Sequence, residues 1–187
     1  MATNADSSDE VLMLGYRNGD AGAFDELYRR HKGGLYRYLL RQCGNAAAAA
    51  EMFQDIWMNL IRARLNYEAT AKFTTYLYRL AHNRLVDHYR KSAHERPLPF
   101  DDEQIDEPAV VHHELPEVRY ERKQLAARLL ALLEALPETQ REAFVLQQES
   151  GLSVEEIAAV TGVTRETAKS RLRYALAKLR SGMTEWR

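Results

Sequence analysis

Four of the chain's five prolines fall between Pro97 and Pro116, and the stretch from Asp101 to Glu117 holds seven carboxylates with no lysine or arginine. Proline fixes φ and withholds a backbone donor, and carboxylates packed this densely repel one another, so the segment can neither continue a helix nor seed a core. It reads as a linker over residues 94–120 that divides the 187-residue chain into two small blocks, 19–93 and 121–182. Each block is expected to fold separately, with a relative placement that the linker leaves adjustable. Residues 1–18 are expected to form an N-terminal tail and the start of the first helix.

Both blocks read as helix. From Ala21 to Arg41, Phe24, Leu27, Tyr28, Leu35, Tyr38 and Leu39 recur mostly at three- and four-residue steps, the period of an amphipathic helix. Gly33-Gly34 weakens the middle of this helix and leaves room for the domain to bend there. A second helix starts after Asn45, a competent N-cap, and runs to about Arg64 through Ala46–Ala50, with Phe53, Ile56 and Leu60 on one face. A third covers Phe73 to Lys91. The second block opens with a leucine-rich helix from Glu121 to Leu136, stops at Pro137 and resumes to about Glu149. The fold class is therefore all-α, with two small helical domains.

The most specific local pattern follows. Ser153-Val154-Glu155-Glu156 fits a capping box that opens a short helix through Ile157, Ala158 and Val160, and Gly162 ends it. A second helix then begins at Thr164, with Ala168, Leu172, Ala175 and Leu179 spaced for a buried face. A short helix, a glycine turn and a basic helix make the helix-turn-helix layout. Thr164, Arg165, Thr167, Lys169, Ser170, Arg171 and Arg173 supply the polar and cationic groups that a helix needs in the major groove. A merely solvated basic helix has no need of the cap, turn and second helix at these offsets.

Composition narrows the classes that remain. The 26 Lys plus Arg balance 27 Asp plus Glu, so any nucleic-acid footprint must come from uneven distribution. One cysteine, Cys43, cannot form an intrachain disulfide and fits a reducing cytoplasm, as a buried or half-buried thiol. The first ten residues are polar and acidic, unlike a signal or transit peptide, and no apolar run approaches the roughly 20 residues that cross a bilayer, so no membrane insertion is expected. His31, His82, His88, His94 and His112-His113 lack zinc-ligand spacing, and no phosphate-binding glycine loop or nucleophile elbow occurs. No metal, cofactor or catalytic constellation is expected, and the chain is not expected to be an enzyme.

Glu51-Met52-Phe53-Gln54-Asp55, Lys72-Phe73-Thr74-Thr75-Tyr76-Leu77 and Ala135-Leu136-Pro137-Glu138 resemble segments of the sigma-70 family of bacterial RNA polymerase, in its extracytoplasmic-function (ECF) group. The first resembles the Asp-Leu-Val-Gln-Glu signature of region 2.2. The second, continuing to Asp87, resembles region 2.3 onward, and the third, continuing through Phe144, resembles the entry to region 4. The motifs stand in family order without a helical region 3, which marks the ECF group. Ala47–Ala50 replaces much of the acidic run that often precedes the region 2.2 signature.

The resemblance implies a sigma factor that directs initiation by promoter recognition and melting. Glu51, Gln54, Asp55 and Met58 would dock on the polymerase core. The loop from about Leu65 to Lys72 and the helix after it would hold the unpaired minus-10 strand through Asn66, Tyr67, Lys72, Phe73, Tyr76, Arg79 and Arg84, with Glu68 and Thr70 as further base readers. Aromatic faces interleaved with cations are how proteins capture single strands, and Phe73 and Tyr76 fit core packing as readily as stacking. The basic helix would read the minus-35 duplex, and an anti-sigma factor would hold the free protein. The alternative is a free-standing helix-turn-helix regulator whose first block binds a ligand or dimerises.

Overall fold

The computed structural model describes residues 6–92 and 116–184. Most of the expected linker lies outside the described residues. Among those described there are eight α-helices and one 3-10 turn: α1 (Asp9–Arg17), α2 (Ala21–Cys43), α3 (Ala46–Ala63), the turn Arg64–Asn66, α4 (Phe73–Ser92), α5 (Pro116–Glu134), α6 (Glu138–Ser150), α7 (Val154–Thr161) and α8 (Arg165–Thr184).

Local chemistry sets most of these ends. The Asp20 side chain accepts from the Ala23 amide at 3.2 Å and Asn45 from that of Ala48 at 2.8 Å, each satisfying a donor that a helix start leaves open. Gly44, Gly151 and Gly162 close α2, α6 and α7 in the left-handed region, with φ of 65°, 64° and 68°, a conformation that costs glycine nothing. The Ser153–Glu156 capping box forms in both directions, at 3.2 and 2.8 Å.

Packing between helices changes how two sequence features read. Gly33-Gly34 does not interrupt α2, which runs unbroken for 23 residues. The reason lies outside the helix: a Cβ on Gly34 would stand 3.0 Å from the Tyr78 hydroxyl of α4 and 3.1 Å from the Glu149 carbonyl oxygen of α6. Glycine here makes room for two neighbours, and their packing outweighs its propensity cost of about 1 kcal/mol.

The second is the division into two blocks, which pack against each other. A single buried cluster begins with Leu12, Leu27, Leu35, Leu39, Met52, Ile56, Leu60 and Leu77 in the first block and continues through Val145, Leu146, Leu152, Ile157 and Val160 in the second. Helix α2 packs on α6, and α4 packs on α7. The two blocks therefore share a core. A smaller cluster of Leu133, Leu136, Ala175 and Leu179 joins α5 to α8, and Phe144 of α6 packs against both clusters. So α6 and α7 carry more apolar surface than α5 and α8 cover, and burying the excess on α2 and α4 is favourable at about 25 cal/mol per Å². The linker's composition governs the tether, and the helix faces govern docking.

Candidate nucleic-acid and polymerase interface

Helix α8 presents a polar and cationic outer face. Ala168, Leu172, Ala175 and Leu179 are all buried, which fixes the rotation of the helix and turns the intervening positions outward. Thr164 caps it, its hydroxyl accepting from the Thr167 amide at 3.2 Å and meeting the Thr167 hydroxyl at 2.9 Å. Thr164, Arg165, Thr167, Lys169 and Arg173 are exposed, and Ser170 and Arg171 are half-buried at the base of the same face. Arg165 pairs with Glu155 of α7 and, at 3.2 Å, with Glu166. Its guanidinium holds the Glu155 carboxyl below the usual carboxylate range. The Arg173 guanidinium lies 5.1 Å from the centroid of the Tyr174 ring. Among the described residues the Lys169 and Arg171 side chains make no hydrogen bond or ion pair, so their cations remain available.

On α3, Glu51, Gln54 and Met58 are exposed and Asp55 is partly so, while Met52, Ile56 and Leu60 are fully buried. The outward face is thus polar and open, and the inward one apolar and buried. Arg84 of α4, however, lies on this face: its Nε donates to Asp55 at 2.8 Å and its Nη2 to Glu51 at 3.1 Å. In this arrangement Arg84 sits with the candidate polymerase-docking residues and apart from the loop after α3.

The remaining candidates for the single strand divide by burial. Asn66 and Lys72 are exposed, as are Glu68 and Thr70, and Arg79 is exposed on the second turn of α4. Tyr76 is half-buried, its ring 5.3 Å from that of Tyr67. Tyr67 is 4% exposed and Phe73 0%, and the Phe73 ring lies 5.3 Å from the His31 imidazole. Burial foremost, then Glu10, Tyr76 and Asp9, pushes the Tyr67 hydroxyl up to about 12. Both rings act here as anchors beneath the loop.

The two exposed cations on this surface meet the second block. Lys72 Nζ lies 2.9 Å from the Glu156 carboxylate, and Arg79 donates to the Ala159 carbonyl at 2.9 Å. Helix α7 therefore covers part of the α4 surface expected to bind the strand.

Sequence reading missed the polar groups that join the blocks. Glu142 of α6 is buried, and one of its carboxylate oxygens accepts from the Tyr38 hydroxyl of α2 at 2.7 Å and meets His82 Nδ1 of α4 at 2.7 Å. Burial, then Glu142, raises the Tyr38 pKa well above its ordinary value. Arg37 donates to Glu149 at 2.8 Å, Arg41 lies 3.4 Å from the same carboxylate, and Arg141 donates to the Gln42 carbonyl at 3.2 Å. The signal was weak: Glu142 sits in an ordinary amphipathic pattern, and only its position among Ala143, Val145 and Leu146 hinted at an inward face. Cys43 is half-buried, with burial raising its thiol pKa. Among the described residues no group of histidine, cysteine and carboxylate side chains could hold a metal ion, and no helix is long and apolar enough to cross a membrane.

Comparison with known proteins gives the same order of parts. Residues 27–95 match the family model for Sigma-70 region 2, and residues 126–179 match that for Sigma-70, region 4. The ECF RNA polymerase sigma factor SigE of Mycolicibacterium smegmatis is 35% identical over 167 residues, covering 87% of this chain and 63% of SigE. The ECF RNA polymerase sigma factor RpoE of Cereibacter sphaeroides is 32% identical over 192 residues, covering 98% of this chain and 100% of that protein. Among solved structures, the sigma factor RpoE from Bartonella quintana, in complex with the anti-sigma factor NepR, superposes with a TM-score of 0.68 at 21% identity, covering 86% of this chain and 96% of that one. At that identity the likeness concerns the fold.

Proposed function

The chain belongs to the extracytoplasmic-function group of sigma-70 RNA polymerase sigma factors, and on that premise we propose that it carries core polymerase to promoters by three surfaces. The outward face of α3, with Glu51, Gln54, Asp55 and Met58, docks on the core. The loop 65–72, with Lys72, Tyr76 and Arg79, holds the unpaired minus-10 strand by stacking and phosphate attraction. Helix α8 enters the minus-35 major groove, where Arg165, Lys169, Arg171 and Arg173 contact bases and phosphates. The chain is an initiation factor that acts in the cytoplasm, performs no chemistry of its own, and is held in reserve by an anti-sigma factor. A free-standing regulator is not favoured, because both sigma regions match in order within one chain.

One observation supports this reading most: an exposed, capped, basic α8 stands in the same chain as an α3 whose apolar side is buried and whose polar side is open. The closed arrangement then has a consequence. Elements named for positions 35 and 10 are about 25 base pairs apart, about 85 Å of duplex at about 3.4 Å per pair. A compact chain of this length has a radius of gyration of about 16 Å and is about 40 Å across. With α7 on α4 the protein cannot reach both elements, so initiation requires the blocks to separate.

The test is reconstitution with purified core polymerase and promoter fragments. Specific initiation is expected, and Gln54→Arg, at an exposed position of the same face, should weaken binding to core while leaving thermal melting of the chain unchanged. No association with core, together with no initiation at any promoter, would overturn the proposal.

A further inference from the structure

We propose that α1 is the positioning element of the minus-10 loop, with Arg17 and Glu10 as positioning residues at its two ends. The inference rests on the reading that residues 65–72 meet the unpaired strand. Helix α1 lies outside the segment matched by the region 2 family model, which begins at residue 27.

The geometry is that of a clamp on backbone. Arg17 donates through Nη1 to the Tyr67 carbonyl at 3.0 Å, across 50 residues of sequence. Glu10 accepts from the Phe73 amide at 2.8 Å, across 63 residues. Between these two pins, residues 68 to 72 are all exposed, and one short bond, from the Thr70 amide to the Glu68 carbonyl at 2.9 Å, is internal to them. Two side chains flank the loop on its inner side, the buried rings of Tyr67 and Phe73. The Arg64 guanidinium, in the turn that leads into the loop, lies 5.7 Å from the Tyr16 ring of α1.

Helix α1 is itself fixed. Asp9 pairs with Arg30 at 2.8 Å and with His31 at 2.7 Å, and Leu12 and Met13 are buried in the core. The Glu10 carboxylate also occupies the N-terminal end of α4, where the helix dipole favours a negative charge. Burial acts to raise its pKa, but the Phe73 amide and its other hydrogen bonds outweigh that and hold it below the ordinary value. A strand phosphate therefore finds that helix end already filled, and the loop's polar side chains are left to make the contacts.

A loop that must read a flexible strand gains from having its backbone fixed beforehand, because less freedom is lost on binding. Arg17 and Glu10 satisfy that requirement without touching DNA. Their loss should blur minus-10 preference rather than abolish polymerase binding.

The test uses holoenzyme made from the full chain and purified core polymerase, challenged with a promoter library randomised across the minus-10 and minus-35 elements. Base enrichment in open complexes is read by sequencing. For Arg17→Ala, enrichment at the minus-10 positions is expected to fall about fivefold or more, with minus-35 enrichment and affinity for core at wild-type values. Arg17→Lys, which keeps a donor, should restore part of the preference, a rescue that general destabilisation would not show. Should Arg17→Ala fold poorly, Glu10→Gln, which weakens the acceptor, is expected to move the minus-10 profile in the same direction by less.

Asn66→Ala and Glu68→Ala separate the two ideas. If they alter the minus-10 profile while the Arg17 and Glu10 variants leave it unchanged, the positioning role is wrong and the loop reading stands. If none of the four moves it, the loop reading fails and the positioning role fails with it.

Discussion

The two surfaces proposed to meet DNA stand in opposite conditions. Helix α8 presents Lys169, Arg171 and Arg173 outward on a scaffold of four buried apolar residues. The α4 surface gives Lys72 to Glu156 and Arg79 to the Ala159 carbonyl, both across the junction of the blocks. One surface is ready in the closed chain and the other is engaged. The closed form should therefore sample minus-35 duplex without capturing a minus-10 strand, and strand capture should follow separation of α7 from α4. A ligand that binds only the separated form shifts the equilibrium by its differential affinity.

The largest test of this contrast is Glu142→Ala. It leaves the Tyr38 hydroxyl and His82 without their shared acceptor in a buried site, which should weaken docking of the blocks by about 3 kcal/mol. Small-angle scattering should show a more extended chain, and affinity for a single-stranded oligonucleotide should rise. An unchanged scattering profile would mean that the shared core does not depend on this cluster.

Gly34→Ala acts at the same junction by shape alone. Its Cβ must displace the Tyr78 hydroxyl or the Glu149 backbone, at about 1–3 kcal/mol. It should open the chain in the direction of Glu142→Ala and leave binding to minus-35 duplex unaltered. Loss of duplex binding would show that the two surfaces are coupled.

For the exposed surface, Arg171→Ala should weaken minus-35 duplex binding by about 1–3 kcal/mol relative to scrambled duplex, in the free chain as well as in holoenzyme. Equal affinity of the wild-type chain for cognate and scrambled duplexes would remove the claim that α8 is ready while the chain is closed. Glu156→Gln is expected to have the smallest effect at neutral pH. It removes an ion pair whose lysine is 69% exposed, worth under about 1 kcal/mol, so affinity for a single strand should rise by less than about fivefold.

Acid adds a check on α1. The hydrogen bond to His31 is the main cause holding the Asp9 carboxyl below its ordinary value. A depressed carboxylate pKa contributes stability above the unfolded value of about 3.9 and loses it as pH falls through the folded one. Protection of α1 amides from exchange should therefore be level from pH 7 to about pH 5 and fall below about pH 4.

Much of the fold was legible because its signals were local. Asn45, Ser153, Glu156, Gly162 and the apolar steps of α8 each act within a few residues, and each sits as its spacing requires. The candidate minus-10 set was less legible, because stacking and packing use the same residue types. Phe73 reads equally as packing or stacking and Tyr67 as a base reader of the loop; both rings are buried, and Arg84 lies against Asp55 and Glu51. Gly34 looked like a flaw in a helix and is a point of close approach between α2, α4 and α6. Docking of the blocks was not legible, since it depends on partners such as Tyr38 and Glu142, 104 positions apart, and no pattern within a window connects them.

The central claim is that the blocks are joined in the free chain and apart at a promoter. It is tested most directly by the distance between labels on Asp25→Cys in α2 and Lys178→Cys in α8, in a Cys43→Ser background. In the free chain a single short distance within the molecule's width of about 40 Å is expected. In a transcribing complex with core polymerase and promoter, the distance should lengthen towards the spacing of about 85 Å between the two elements. A short distance retained in a complex that initiates transcription would contradict the account.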